Sequence, residues 1–305
     1  MKDLLPIHDV ITQLQEAITV GKRAVLVAPP GAGKTTIIPL KLLDNPNING
    51  QIIILEPRRL AARAAASQMA AILNERIGET VGFKIKGLTK VSKQTRIVVM
   101  TEGILIRMIQ SDPSLSEVGC IIFDEFHERS INSDLGLALS LQLSEILRSD
   151  LRIVVMSATL DVGPVSDLLD TKAPIISDGR AYQVNCEYLS RPRSKNNNLW
   201  ENFAQLISDA FEMTEGGILA FLPGEAEIRA TEKLLKEKLP NAAIIMPLYG
   251  SLPFEQQNKI LEPLKDETFR KIVLSTSIAE TSLTISGIKV VVDSGYTRRS
   301  SYDPA

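Results

Sequence analysis

The chain has 305 residues, 44% hydrophobic and 23% charged, a length that favours two domains over one. Its formal net charge of −2 excludes a global basic field, so any nucleic-acid contact must come from a local groove. Two distant cysteines, no stretch approaching 18 uncharged apolar residues and no basic-then-apolar amino end together predict reduced thiols, a cytoplasmic location and no membrane span.

Short β-branched runs alternate with helical patterns along the chain, the pattern of βαβ units and mainly parallel sheets. Strands are expected at 23–28, 51–55, 96–100, 119–124 and 151–156, with helices near 7–20, 33–43, 59–75, 102–110 and 132–148. A second series follows Asp178-Gly179-Arg180, with strands near 183–189, 217–222, 243–248, 271–275 and 288–293 and helices near 199–213, 224–238 and 254–261. The expected fold class is therefore α/β, in two similar domains covering 1–178 and 179–305. The polar stretch from Ser190 to Asn198 reads as an exposed loop inside the second.

Two segments carry chemistry. Ala28-Pro29-Pro30-Gly31-Ala32-Gly33-Lys34-Thr35 lies between a strand pattern and a helical run, with Ala28 where the phosphate-binding loop pattern has its first glycine. In such a loop the segment Pro30, Gly31, Ala32, Gly33, Lys34, Thr35 and Thr36 wraps nucleotide phosphates. Lys34 reaches the β- and γ-phosphates and the Thr35 hydroxyl ligates Mg²⁺. The second segment, Asp124-Glu125-Phe126-His127, follows the apolar run Gly119-Cys120-Ile121-Ile122 and presents adjacent carboxylates at a strand's carboxyl edge, where open α/β sheets bind ligands. Asp124 and Glu125 are expected at the metal, with Glu125 orienting and deprotonating the attacking water. Taken singly, the loop has an ordinary turn as its competing reading, and the acidic pair reads equally as solvated surface charge; together they describe a nucleotide-hydrolysing site.

These residues resemble the superfamily 2 DEAH-box helicases, and within them the bacterial HrpB-type branch, whose Walker B motif reads DEFH as 124–127 does. The resemblance continues through Glu56-Pro57-Arg58-Arg59-Leu60-Ala61-Ala62, Thr101-Glu102-Gly103-Ile104-Leu105 and Ser157-Ala158-Thr159. In the second domain it continues through Phe221-Leu222-Pro223-Gly224 and the segment Ser275 to Ile285. It implies two RecA-like P-loop NTPase domains, the second stopping before the arginine-rich motif VI. It also implies ATP, with tolerance of other nucleoside triphosphates, and Mg²⁺. The implied activity is hydrolysis of ATP to move on or unwind single-stranded nucleic acid, RNA in particular, and slow turnover by this amino-terminal part alone. By the same resemblance Arg58, Arg59, Thr101, Gly224 and Thr276 form a backbone-reading track that carries little sequence information. His127 joins Lys34 and Glu125 as a catalytic residue linking the nucleotide site to the interface between domains. Ser157 and Thr159 report nucleotide state, and Ser282 and Thr284 face the γ-phosphate.

Two positions depart from the pattern. Ser286 stands where many relatives have aspartate, and Gln68 where an arginine often stacks on the base, so base-specific contacts are not expected. Two alternatives remain open: a P-loop ATPase that remodels protein partners, and a nucleotide-binding fragment with little turnover.

Overall fold

The structure is a computed structural model describing residues 5–159, 162–171, 173–178, 183–189, 199–266, 268–280 and 285–298. It divides into two compact units, Met1–Gln183 and Val184–Ala305. No described helix is long and apolar enough to cross a membrane.

The first unit is built on an eight-stranded sheet. Its strands are β1 (Arg23–Val27), β2 (Gln51–Glu56), β3 (Val81–Ile85), β4 (Leu88–Lys90), β5 (Ile97–Thr101), β6 (Val118–Phe123), β7 (Arg152–Ser157) and β8 (Ile175–Ile176), in the order β4-β3-β5-β2-β6-β7-β1-β8. All neighbours are parallel except the β3–β4 hairpin. Alternate residues feed the two faces: Ile52, Ile54, Val154 and Met156 pack into one apolar core, and Ile53, Leu55, Ile153 and Val155 into the other. Burial on both faces explains why these strands read as continuous apolar runs. The helices are α1 (Ile11–Val20), α2 (Lys34–Leu42), α3 (Arg59–Ile72), α4 (Glu102–Ser111), α5 (Ile131–Ile146) and α6 (Gly163–Leu168).

The second unit has a four-stranded parallel sheet of β9 (Gly217–Phe221), β10 (Ala243–Leu248), β11 (Arg270–Ser275) and β12 (Ile288–Asp293), ordered β10-β11-β9-β12. Its helices are α7 (Leu199–Met213), α8 (Glu225–Lys238) and α9 (Phe254–Leu261), and its core gathers Phe203, Ile207, Ile218, Ile228, Leu235, Ile272 and Leu274.

Three corrections concern local structure. The strand expected at 183–189 forms no ladder among the described residues, and its side chains are exposed; an alternating sequence becomes a strand only beside a partner, and it has none there. The helix expected from residue 7 opens as a 3₁₀ turn, Pro6–Val10, before α1 begins. Strands β3, β4 and β8 are additional. The first contains Gly82 and Lys84, the second is fully exposed, and the third has two residues, so none gives a strong apolar signal.

The meeting of β2 and β6 depends on Gly50, at φ +100°, where an added Cβ would lie 2.3 Å from the Glu117 carbonyl oxygen. Gln51 N–H donates to that same carbonyl at 2.7 Å. Gly50→Ala is therefore expected to cost about 2–4 kcal/mol, combining left-handed strain with overlap against backbone. Gly87→Ala, at φ +82° with open space around it, should cost about 1–2 kcal/mol. Urea denaturation midpoints of the two variants check this ordering.

Candidate nucleotide site

Parallel register gathers the strand ends. Val27 of β1 lies opposite Ser157 of β7, Val155 opposite Phe123 of β6, Phe123 opposite Leu55 of β2, and Glu56 opposite Thr101 of β5. The loop after β1 and the carboxylates after β6 thus share one carboxyl edge.

Ala28 N–H donates to the Ser157 carbonyl at 3.0 Å, continuing the β1–β7 ladder. That explains why alanine serves at this position: the backbone is still strand-like and the methyl is buried. The turn proper comes at Gly31 and Gly33, with φ of +77° and +95°. At Gly33 an added Cβ would come within 2.9 Å of the Leu5 side chain and 3.2 Å of Ile37, and it is the left-handed conformation that calls for glycine. Gly33 caps α2, and Ile37 N–H donates to its carbonyl at 2.8 Å. This places Lys34, Thr35 and Thr36 in the first turn, with their N–H groups at the positive end of the helix.

Lys34 Nζ lies 2.8 Å from Glu125 Oε1, and Thr35 Oγ1 donates to Asp124 Oδ2 at 2.5 Å. Lys34, Asp124 and Glu125 are all buried. Burial works against the Lys34 charge, but Asp124, Glu125 and Glu56 outweigh it and hold the ammonium above its ordinary value. Burial pushes the Asp124 carboxyl up to about 6, opposed by Lys34 and reinforced by Glu125. Asp124 is fixed on both sides: its N–H donates to Leu55 O at 3.1 Å, and its Oδ1 accepts from Glu125 N–H at 2.8 Å. Glu125 itself has φ +48° and ψ +36°, a left-handed conformation that a branched chain of interactions must hold in place.

His127 Nδ1 accepts from Ala158 N–H at 3.3 Å and lies 3.4 Å from Glu125 Oε2. A nitrogen that accepts from the first cannot donate to the second, so in the neutral ring the proton sits on Nε2. Ser157 Oγ donates to the Thr159 carbonyl and accepts from Thr159 N–H, both at 3.2 Å. His127, Ser157 and Thr159 therefore border the carboxylates and the phosphate loop.

Arg58 and Arg59 begin α3, and Thr101 caps α4, on the strands next along the edge. Gly224 caps α8 and Thr276 follows β11, at the carboxyl edge of the second sheet, where Thr276 N–H donates to Leu248 O at 3.2 Å. Ser282 and Thr284 lie outside the described residues.

Three residues had no role assigned from sequence. Glu56 ends β2, is 1% exposed, and its Oε2 has no hydrogen-bond partner among the described residues. Burial first, then Asp124 and Glu125, push its carboxyl well above the usual range, partly offset by Lys34. A carboxylate directly after Ile52-Ile53-Ile54-Leu55 is the signal that could have marked it. Glu128 pairs with Arg58 at 3.4 Å, and Glu102 accepts from the Ser130 hydroxyl. Only the folded edge shows these pairings.

A glycine loop whose lysine and threonine face the two carboxylates of a parallel strand defines the P-loop nucleotide-binding class, here in two RecA-like units. The DEAD/DEAH box helicase model matches residues 9–168, and the helicase conserved C-terminal domain model matches 199–303. The chain belongs to the DEAD/DEAH box helicase family. It is 44% identical to the ATP-dependent RNA helicase HrpB of Escherichia coli K12, over 98% of this chain and 37% of that protein. It is 36% identical to the ATP-dependent RNA helicase HrpA homolog of Haemophilus influenzae, over 98% of this chain and 23% of that protein. A crystal structure of the Escherichia coli DEAH/RHA helicase HrpB superposes with a TM-score of 0.90, covering 98% of this chain and 38% of that one. The chain thus spans well under half the length of the relatives it matches.

Glu56 generates a stability prediction. Its folded pKa lies above its unfolded value, so the folded state binds the extra proton and loses stability as pH rises from the ordinary carboxylate range. Glu56→Gln removes that loss. Relative to the parent, Glu56→Gln should raise the melting midpoint more at pH 8 than at pH 4. Melts at both pH values, without nucleotide, check the slope.

Proposed function

We propose that this chain supplies the nucleotide-binding and hydrolysing part of an ATP-dependent RNA helicase of the HrpB type. The observation that carries the reading is the pairing of Lys34 with Glu125 and of Thr35 with Asp124 at one sheet edge. The γ-phosphate of a bound nucleotide competes with Glu125 for Lys34. Glu125, released from the lysine, has a free carboxylate oxygen with which to orient water and take its proton. Phosphate oxygens also meet the first N–H groups of α2 and the backbone of residues 30–36.

The hydroxyl of Thr35 and carboxylate of Asp124 form a hard oxygen donor set of the kind Mg²⁺ prefers, so these residues fit the ion. Bound there, it would neutralise charge on the transferring phosphoryl group. Ser282 and Thr284 are assigned to the γ-phosphate side, and Ser157, Thr159 and His127 to signalling of nucleotide state. Arg58, Arg59, Thr101, Gly224 and Thr276 are assigned to the backbone of a single strand, read by charge and shape with little sequence preference. We place the protein in the cytoplasm. Domains 1–178 and 179–305 are kept as the functional division.

ATP hydrolysis measured with and without single-stranded RNA tests the reading; an ATPase indifferent to RNA that neither binds nor moves on it would point to protein remodelling. Glu125→Gln should retain nucleotide binding while lowering turnover by about 10²–10⁴, since an amide is a far weaker base. Lys34→Ala should weaken binding itself. Fluorescent-nucleotide titration and phosphate release separate the two outcomes.

Asp124 sets a pH dependence. With its carboxyl at about 6 in the metal-free protein, cation binding must displace a proton below that value. Mg²⁺ affinity at fixed nucleotide should therefore fall about tenfold per pH unit below pH 6 and level off above 7. Calorimetric titration at pH 5, 6, 7 and 8 checks it.

A further inference from the structure

The connector from β6 to α5, Asp124 to Ser130, is tied on both sides. Toward the phosphates it holds Thr35 through Asp124, Lys34 through Glu125 and Ala158 N–H through His127. On the other side Glu128 holds Arg58 at 3.4 Å, with side chains only 18% and 24% exposed, and Ser130 donates to Glu102 at the start of α4. Between these ties lies a 3₁₀ turn, Phe126–Glu128, bracketed by two non-glycine residues with positive φ, Glu125 and Arg129, both at +48°. Such a backbone persists only when its surroundings over-determine it. Loosening one tie therefore redistributes strain among the others.

We propose that Glu128 is a positioning residue that couples strand binding to hydrolysis. Its carboxylate holds Arg58 until a nucleic-acid phosphate takes the guanidinium, and losing that partner frees the turn that carries His127 and begins at Glu125. This rests on the proposed role of Arg58 in contacting nucleic acid. The charge balance supplies the drive. Glu128 lies in the field of both Glu56 and Glu102, so once Arg58 turns to a phosphate, like charges repel the Glu128 carboxylate from its place. A phosphate competes well for the same fork of N–H donors, because guanidinium binds phosphate and carboxylate by the same bidentate geometry. The ion pair thus works as a sensor whose occupied and unoccupied states place the water-activating carboxylate differently.

The test is a double-mutant cycle with Glu128→Gln, Arg58→Gln and the pair together. Each variant is read for basal ATP turnover, its stimulation by oligouridylate, and oligouridylate affinity by fluorescence anisotropy. Glu128→Gln should tighten single-strand binding by about three- to tenfold, since Arg58 no longer has to leave the Glu128 carboxylate, an ion pair worth about 1 kcal/mol. It should also raise basal turnover and shrink the stimulation ratio. Arg58→Gln should raise basal turnover likewise while weakening strand binding, and the double variant should match either single in basal rate. A merely structural Glu128 would lower stability without tightening strand binding. Unchanged or weaker binding in Glu128→Gln, or basal effects that add in the double variant, would overturn the proposal. A parent protein that binds no oligouridylate, while hydrolysing ATP, would instead sink the helicase reading and the sensor with it.

Discussion

An ammonium can stay buried only if nearby negative charge offsets its lost hydration, and at this sheet edge Lys34 lies among Asp124, Glu125 and Glu56. The dependence is mutual. Without the lysine, three carboxylates would face one another in an apolar setting; without them, burial would disfavour the lysine's charge with nothing to oppose it. The result is a site with a strong appetite for rearrangement: a polyanion that draws the lysine away leaves carboxylates in need of a cation or a proton. A phosphate chain accompanied by a divalent cation would answer both needs at once.

The helices and central strands were legible because their signals are local. The runs 23–28, 51–55 and 119–124 are apolar for a strand's length and bounded by turn residues, and burial on both faces is what such runs mean. β4 escaped because an exposed edge needs no apolar pattern, and β3 because Gly82 and Lys84 interrupt its apolar run. Residues 183–189 erred in the opposite direction, with a fitting alternation and no ladder partner among the described residues. Pairing is a property of two segments, and one segment's composition cannot report it.

The site divides the same way. Lys34, Thr35, Asp124 and Glu125 stand in fixed spacing within two short motifs, so their meeting at one edge could be expected before any coordinate. Glu56 was visible as a letter in a motif but not as a buried carboxyl whose Oε2 has no hydrogen-bond partner among the described residues, because burial and the proximity of Asp124 arise from sheet register. The tie between Arg58 and Glu128 joins residues 70 apart in sequence, and no spacing rule anticipates it.

The place of β1 in the sheet has a consequence for biosynthesis. β1 lies between β7 and β8, both made long after it, so as the chain leaves the ribosome β1 and its glycine loop have no strand to lie against. Lys34 waits 91 residues for Glu125, and Ala28 waits longer for the Ser157 carbonyl. Contacts of such separation form late and slowly. During that interval a nascent chain exposes apolar strand surface that chaperones recognise. Only when β7 is seated does the Ala28 N–H at the start of the glycine loop gain its Ser157 acceptor.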